Sequence, residues 1–387
     1  MTFAVVKLGQ VCSFVRGLTY SKSDEVEFSS NIVIRANNID LNTHKLNFNE
    51  LRYIEDSIVV KDDKKIKKND ILICTASGSK SHLGKVALVE EELNMAFGGF
   101  MGALRADSTK ISSQYLYRLL ISDLFKRHVD GLSDGANINN LKFSQIENLE
   151  IPLPSLVTQQ KIVEKLNAIF AEIDRATVAT DANIKNTEAL FQSYLTDAFE
   201  RGAQAWSKKF LNQISENLDS KRIPITKSIR ESGDVPYYGA SGIVDYVKEF
   251  IFDDDILLIS EDGANLLART YPIAFSVSGK CWVNNHAHVL KFPNVISQKF
   301  VEFYLNSISL KPFVSGMAQP KLNQAMLNKI PIPFPDFEEQ KRLVQFFSVI
   351  NDSANLSKKS YSRKLDELSF LKQSILKQAF NGELVKD

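Results

Sequence analysis

Three stretches of the chain carry side chains that could do chemistry. Asp234-Val-Pro-Tyr237 has the outline of the Asp-Pro-Pro-Tyr signature of adenine amino-methyltransferases. Position 235 is Val, and no glycine-rich cofactor loop follows a strand upstream, so a turn accounts for it better. Pro335 and Asp336 with Glu339 and Lys341 imitate a nuclease motif. These acids stand too close in sequence to span a strand pair, and helix capping explains them. His286-x-His288 would place two imidazoles on one face of a strand near Cys281. Zinc needs three or four convergent ligands, which this arrangement does not supply. No Gly-x(4)-Gly-Lys-Ser/Thr phosphate loop exists, and no histidine has a recognisable Ser or Cys nucleophile motif beside it. The expectation is a chain with no catalytic, metal-binding or cofactor-binding residues.

The totals narrow the partners. Lys and Arg number 47 against 46 Asp and Glu, a net charge of +1 over 387 residues. That balance excludes a non-specific nucleic-acid coater. It permits a DNA binder whose positive charge is gathered on one face or shared with partner subunits. Cys12, Cys74 and Cys281 lie far apart, as expected of small buried hydrophobes in a reducing cytosol. No apolar run is long enough for a bilayer, and Lys7 and Arg16 interrupt the N-terminal apolar stretch, so neither a signal peptide nor a membrane is expected.

The elements that position these residues are written twice. Asp70-Ile-Leu-Ile-Cys-Thr-Ala-Ser-Gly78 returns 185 positions later as Asp255-Ile-Leu-Leu-Ile-Ser-Glu-Asp-Gly263. Each reads as a polar turn, a short apolar strand and a glycine-containing loop. Gly98–Leu104 matches Asn284–Leu290, which sets Phe100 and Gly102 against His286 and His288. Tyr115–Ser122 matches Phe300–Ser307. Ile151-Pro-Leu-Pro154 matches Ile330-Pro-Ile-Pro333. Four matches in one order at nearly one offset define an internal repeat.

Behind each proline hinge runs a helical segment, roughly 155–201 and 336–381. In the first, Ile162, Leu166, Ile169, Ile173, Ala176, Thr180, Asn183, Thr187, Leu190 and Tyr194 keep a 4,3 spacing. In the second, Leu343, Phe347, Ile350, Ala354, Ser357, Tyr361, Lys364, Leu368, Leu371 and Ile375 repeat it 181 positions on. A sustained period of about 3.5 is a coiled-coil seam, here with a polar middle. A helix of this length spans on the order of 67 Å, too long for the core of one small domain. Asp336 and Glu339 suggest a capping box, and Gly202 and Gly382 suggest C-caps.

The expected fold is α+β. Two mixed domains of short strands and helices (1–150 and 203–329) are separated by two hinge-and-helix segments (151–202 and 330–387). If the seams pair antiparallel, the chain closes into a circular, pseudo-two-fold order. Pairing of each seam with a second copy of the chain stays open. A duplicated non-catalytic reader suits double-stranded DNA, whose half-sites lie along one axis. A coiled-coil assembly protein with protein-binding end domains is the other reading.

The order of segments resembles the specificity subunit, HsdS, of type I restriction-modification systems. The hinges with Gln160-Lys161 and Gln340-Lys341 look like that family's signature, as does Ala379-Phe-Asn-Gly-Glu-Leu384. Val235–Gly242, Glu261–Asn265 and Trp282–Val289 look like one recurrent class of target-recognition domain; Gly78-Ser79 and Gly98–Gly102 look like another. The resemblance covers essentially the whole chain. It implies that each domain reads one half of a split target and that the helices set the gap. It also implies two adenine-N6 methyltransferase (HsdM) subunits and restriction and translocation (HsdR) subunits as partners. S-adenosylmethionine, ATP and Mg would belong to those partners.

Base reading needs polar side chains on groove-facing loops. Candidates in the first domain are Thr75, Ser77, Ser79, Lys80, Ser81 and Lys85, and before the hinge Asn137, Asn139, Asn140 and Lys142. In the second they are Asp262, Asn265, Arg269, Asn284, Asn285, His286, Gln319, Lys321 and Asn323. Residues 1–150 hold 19 basic and 19 acidic side chains and residues 203–329 hold 14 and 12, so neither domain is a strong polyanion trap alone.

Overall fold

The computed structural model describes residues 3–133, 140–316 and 319–385. The chain divides into two compact units. Unit 1 is Met1–Ala179 with Lys364–Asp387, and unit 2 is Thr180–Arg363. The chain therefore leaves unit 1 once and returns to it.

In unit 1 an antiparallel sheet runs in the order Cys12–Arg16, Met101–Ala106, Ile71–Cys74, Val86–Leu88. Its central strand has no exposed residue, as its unbroken apolar run requires. Alternate side chains serve two cores. Ile71 and Ile73 join the cluster that includes Leu116 and Leu119 of helix Ser113–Leu120. Leu72 faces the cluster of Ile34 and Phe97, which belong to a second sheet. That sheet pairs Arg52–Ile54 antiparallel and Ala96–Phe97 parallel to Asn31–Ile34. Ala4–Lys7 closes the unit against the hinge strand Glu150–Leu153.

Unit 2 repeats this plan. Its first sheet is Glu216–Asn217, Ala287–Lys291, Ile256–Ser260, Ala274–Val277, again antiparallel. Leu257 and Ile259 enter one core; Ile256 and Leu258 enter the other. Its second sheet pairs Gly242–Val247 antiparallel and Lys280–Val283 parallel to Ser232–Gly239. Lys208–Lys209 meets the hinge strand Ile332–Pro333.

Two long helices follow the hinges, Leu156–Ala205 with 50 residues and Phe337–Phe380 with 44. They run antiparallel within each unit. In unit 1 Lys165 Nζ donates to the Leu384 carbonyl at 2.8 Å, and Lys372 pairs with Asp174. In unit 2 Lys358 reaches Glu188 at 3.4 Å, and the rings of Phe199 and Phe347 lie 5.7 Å apart. The helix starts are pinned by buried glutamines. Gln159 accepts from Ser112 N and donates to the Lys110 and Pro154 carbonyls. Gln340 donates to Pro335 O and accepts from Ser297 Oγ. Gln159, not its exposed neighbour Gln160, is thus the counterpart of Gln340.

Three details depart from the sequence reading. The seam holds through Thr180 and Tyr361; beyond them Thr187, Leu368 and Ile375 stay half-buried, while the other seam positions shift by one residue. Asn183, Leu190, Tyr194, Lys364 and Leu371 are exposed, while Ile184, Phe191, Leu195, Leu365 and Lys372 take the inner positions. A straight helix drifts by about 20° per heptad against a 3.5 repeat, so a strict 4,3 count falls out of phase over this length. Gly202 is inside its helix and makes room for Trp206; a Cβ there would lie 2.1 Å from the indole. Asp336 does cap, accepting from Glu339 N at 2.9 Å, but the Glu339 side chain pairs forward with Arg342. Gly382, at φ 78°, closes the second helix in the left-handed conformation expected of it.

Candidate nucleic-acid interface

In each unit three loops are knitted together by the same backbone frame. In unit 1 the Phe100 carbonyl accepts from Thr75 N at 3.0 Å, from Thr75 Oγ1 at 3.0 Å and from Ala76 N at 3.2 Å. Leu141 N donates to Thr75 O at 2.7 Å, and Ala76 bridges to Asn140. In unit 2 the His286 carbonyl accepts from Glu261 N at 2.9 Å. Leu322 N donates to Glu261 O at 2.7 Å, and Asp262 bridges to Lys321. The loops following the central strands, the tips at Phe100 and His286, and the segments preceding the hinges therefore converge in both units.

The side chains filling this frame differ. In unit 1 Ser77, Ser79 and Ser81 form an exposed or half-exposed run; Ser77 Oγ accepts from Ser79 N at 3.2 Å, and the hydroxyls of Ser79 and Ser81 lie 2.9 Å apart. Lys80, Asn140 and Lys142 are exposed. In unit 2 Asn285, Gln319, Lys321 and Asn323 are exposed. His286 is half-exposed, its Nδ1 held 2.9 Å from Asp262. Asn323 also caps a short helix through Met326 N. Asn137 and Asn139 lie outside the described residues.

Five candidates are occupied within the fold. This corrects the loop-surface place expected of Thr75, Lys85, Asn265 and Arg269; Asn284 follows a strand, where a buried hydrogen-bond network is equally expected. Thr75 is buried, with its hydroxyl on Phe100 O. Lys85 is 5% exposed and donates to the Ile39 carbonyl at 2.8 Å; burial holds its pKa below the usual lysine value. Asn284 is buried and accepts from His286 N. Asn265 braces Tyr271 through both backbone groups. Arg269 sits on the Leu305 and Ile308 carbonyls at a helix C-terminus, where a cation is favoured, and burial lowers its pKa. Apart from Asn284, each sits in a loop-like polar stretch, and only the tertiary fold shows that its partner is internal.

An ionic cluster that sequence reasoning missed underlies the unit 2 loops. His288 is 1% exposed, with Nδ1 2.6 Å from Asp219 Oδ2 and Nε2 2.7 Å from the Leu322 carbonyl. Each ring nitrogen thus faces an oxygen of the fold. Arg222 joins Asp219 to Glu261, and Lys321 also reaches Glu261. Burial pushes the Asp219 carboxyl up, but His288, the Val289 N–H and Arg222 outweigh it and hold the pKa below the ordinary value. Burial likewise raises Glu261, and Arg222, His288 and Lys321 bring it down. His286 and His288 thus serve separate partners. Among the described residues no group of three His, Cys, Asp or Glu could hold a metal ion. Nor is any helix among them long and apolar enough to cross a membrane.

The Type I restriction modification DNA specificity domain model matches residues 1–186 and 204–363. The chain is 28% identical to the type I restriction enzyme StySPI specificity subunit of Salmonella potsdam, over 99% of this chain and 89% of that one. It is 25% identical to the EcoKI specificity subunit of Escherichia coli K12, over the same shares of each chain. A solved chain from work on assembly and conformational transition of the type I R-M system covers 99% of this chain and 98% of its own length. It has a TM-score of 0.77 at 19% identity and so shares the fold.

Proposed function

The chain belongs to the type I restriction-modification DNA specificity family, and from that premise we propose that each unit reads one half of a bipartite double-stranded DNA target. The observation that carries this reading is the paired loop frame: corresponding backbone links join the same three loops in each unit, filled by different polar side chains. Fixed frames with variable contents suit two half-sites of different sequence, since base edges are told apart by donor and acceptor pattern. The exposed members, Ser79, Lys80, Ser81, Asn140 and Lys142 in unit 1 and Asn285, His286, Gln319, Lys321 and Asn323 in unit 2, are the groups available to bases and phosphates.

The long helices dock two adenine-N6 methyltransferase subunits and set the unread gap. Val178, Leu190, Val349, Leu356 and Phe370 on them are each more than half exposed, which supports a protein-covered surface. S-adenosylmethionine enters with those subunits, and ATP and Mg with restriction subunits. Near-neutral charge gives the isolated chain weak, steeply salt-dependent DNA binding. Nanomolar specific binding by the lone chain at physiological salt would contradict the sharing of the clamp.

The test is co-expression with the cognate methyltransferase and genome-wide mapping of N6-methyladenine. One split motif methylated on both strands is expected. A folded, associated complex that leaves no methylation, with a methyltransferase active alongside another specificity subunit, would overturn the reading.

A further inference from the structure

We propose that Phe100 is the thymine-reading residue of unit 1. The inference rests on the reading above and goes on to name a residue and a base.

Phe100 is 74% exposed, yet its neighbours in the chain are anchored: Phe97 is 0% and Met101 1% exposed. The turn that carries it is held from every side. Its carbonyl takes the three hydrogen bonds from Thr75 and Ala76, and Met101 N closes the turn on Gly98 O at 2.9 Å. Gly17 presses against this turn so closely that a Cβ there would lie 2.0 Å from Gly98 O. A fixed backbone thus holds an aromatic side chain outward. Isolated exposed apolar residues are common and need no explanation. Phe28, still more exposed, packs on Tyr53 with ring centroids 5.3 Å apart. Among the described residues no ring packs on Phe100. It stands at the junction of the Ser77–Ser81 loop and the Asn140 segment, and its counterpart in unit 2 is the polar His286.

An apolar ring has one partner among major-groove base edges. Apart from small C–H edges, the other groups displayed there are hydrogen-bond donors or acceptors, and thymine alone offers a methyl group. His286, tethered by Asp262, brings polar readout to the same place in unit 2.

The test uses the full chain with its methyltransferase. Phe100→Ala is expected to relax one A·T position in one half of the methylated motif, while Phe100→Leu keeps it. His286→Ala is expected to relax a position in the other half. With purified complex, deoxyuridine in place of that thymine removes only the methyl. It should cost the wild type roughly tenfold in affinity, the scale of one mismatched pair, and cost Phe100→Ala nothing further. An unchanged motif, a uniform loss across all sequences, relaxation at a G·C pair, or both substitutions acting on one half would each overturn the proposal. A wild-type complex without a bipartite motif would instead bring down the function on which it rests.

Discussion

Units 1 and 2 share the strand order and directions of their first sheet and the backbone links that knit their loops, but they stabilise those loops by opposite means. Unit 1 is neutral at this point: strand pairing, one position off the sequence match, sets Thr75 where unit 2 has Glu261, and Gly102 where unit 2 has His288. A Cβ on Gly102 would lie 2.7 Å from the Phe143 ring, so an aromatic fills the space that the His288 side chain occupies in unit 2. Unit 2 joins Asp219, Arg222, Glu261, His288 and Lys321 in one cluster beneath the same loops. The backbone frame is therefore independent of what fills it. Such a fold can exchange recognition chemistry without re-learning its topology.

The contrast breaks most sharply at Asp219. Asp219→Ala removes the carboxylate shared by His288 Nδ1, the Val289 N–H and Arg222, a loss of about 3–5 kcal/mol for a broken buried pair. Chemical denaturation of the full chain should show the transition of unit 2 moving alone. Acid should act in the same direction. The folded pKa values of Asp219 and Glu261 lie below their ordinary values, so their contribution is complete above the unfolded pKa values. It is lost as pH falls through the folded ones, below about pH 4. Hydrogen exchange at decreasing pH should open 284–288 and 319–323 of unit 2 before 98–102 of unit 1; the reverse order would break the comparison. Thr75→Val, the neutral counterpart, removes one hydrogen bond and should cost about 1 kcal/mol. The smallest effect belongs to Lys358→Ala on the helices. This partly exposed pair with Glu188 is worth about 0–1 kcal/mol and fades with salt.

The parts of this molecule written in local pattern were legible beforehand. The duplicated strand Ile71–Cys74 and its partner, the proline hinges and the long helices are continuous features of sequence, and all are present. The exact inner face of the helices was not, because a heptad count and a 3.6-residue turn diverge only after several turns. Lys85 and Arg269 read as solvated loop cations, since their acceptors, Ile39 O and Ile308 O, come from distant segments. Asp219 and His288 are 69 positions apart and meet only through the fold. Phe100 carries none of the polar groups that mark a base reader in sequence. Its signal was its alignment with His286.

The return of the chain to its starting unit has a genetic consequence. Unit 2 is one uninterrupted stretch of codons and can be traded as a single cassette between two crossovers. Unit 1 is assembled from the two stretches that flank it. A stop codon at position 364 would remove Leu376, Ala379 and Phe380 from the core that holds Tyr115 and Leu166. A late truncation would therefore damage the half of the protein that is synthesised first.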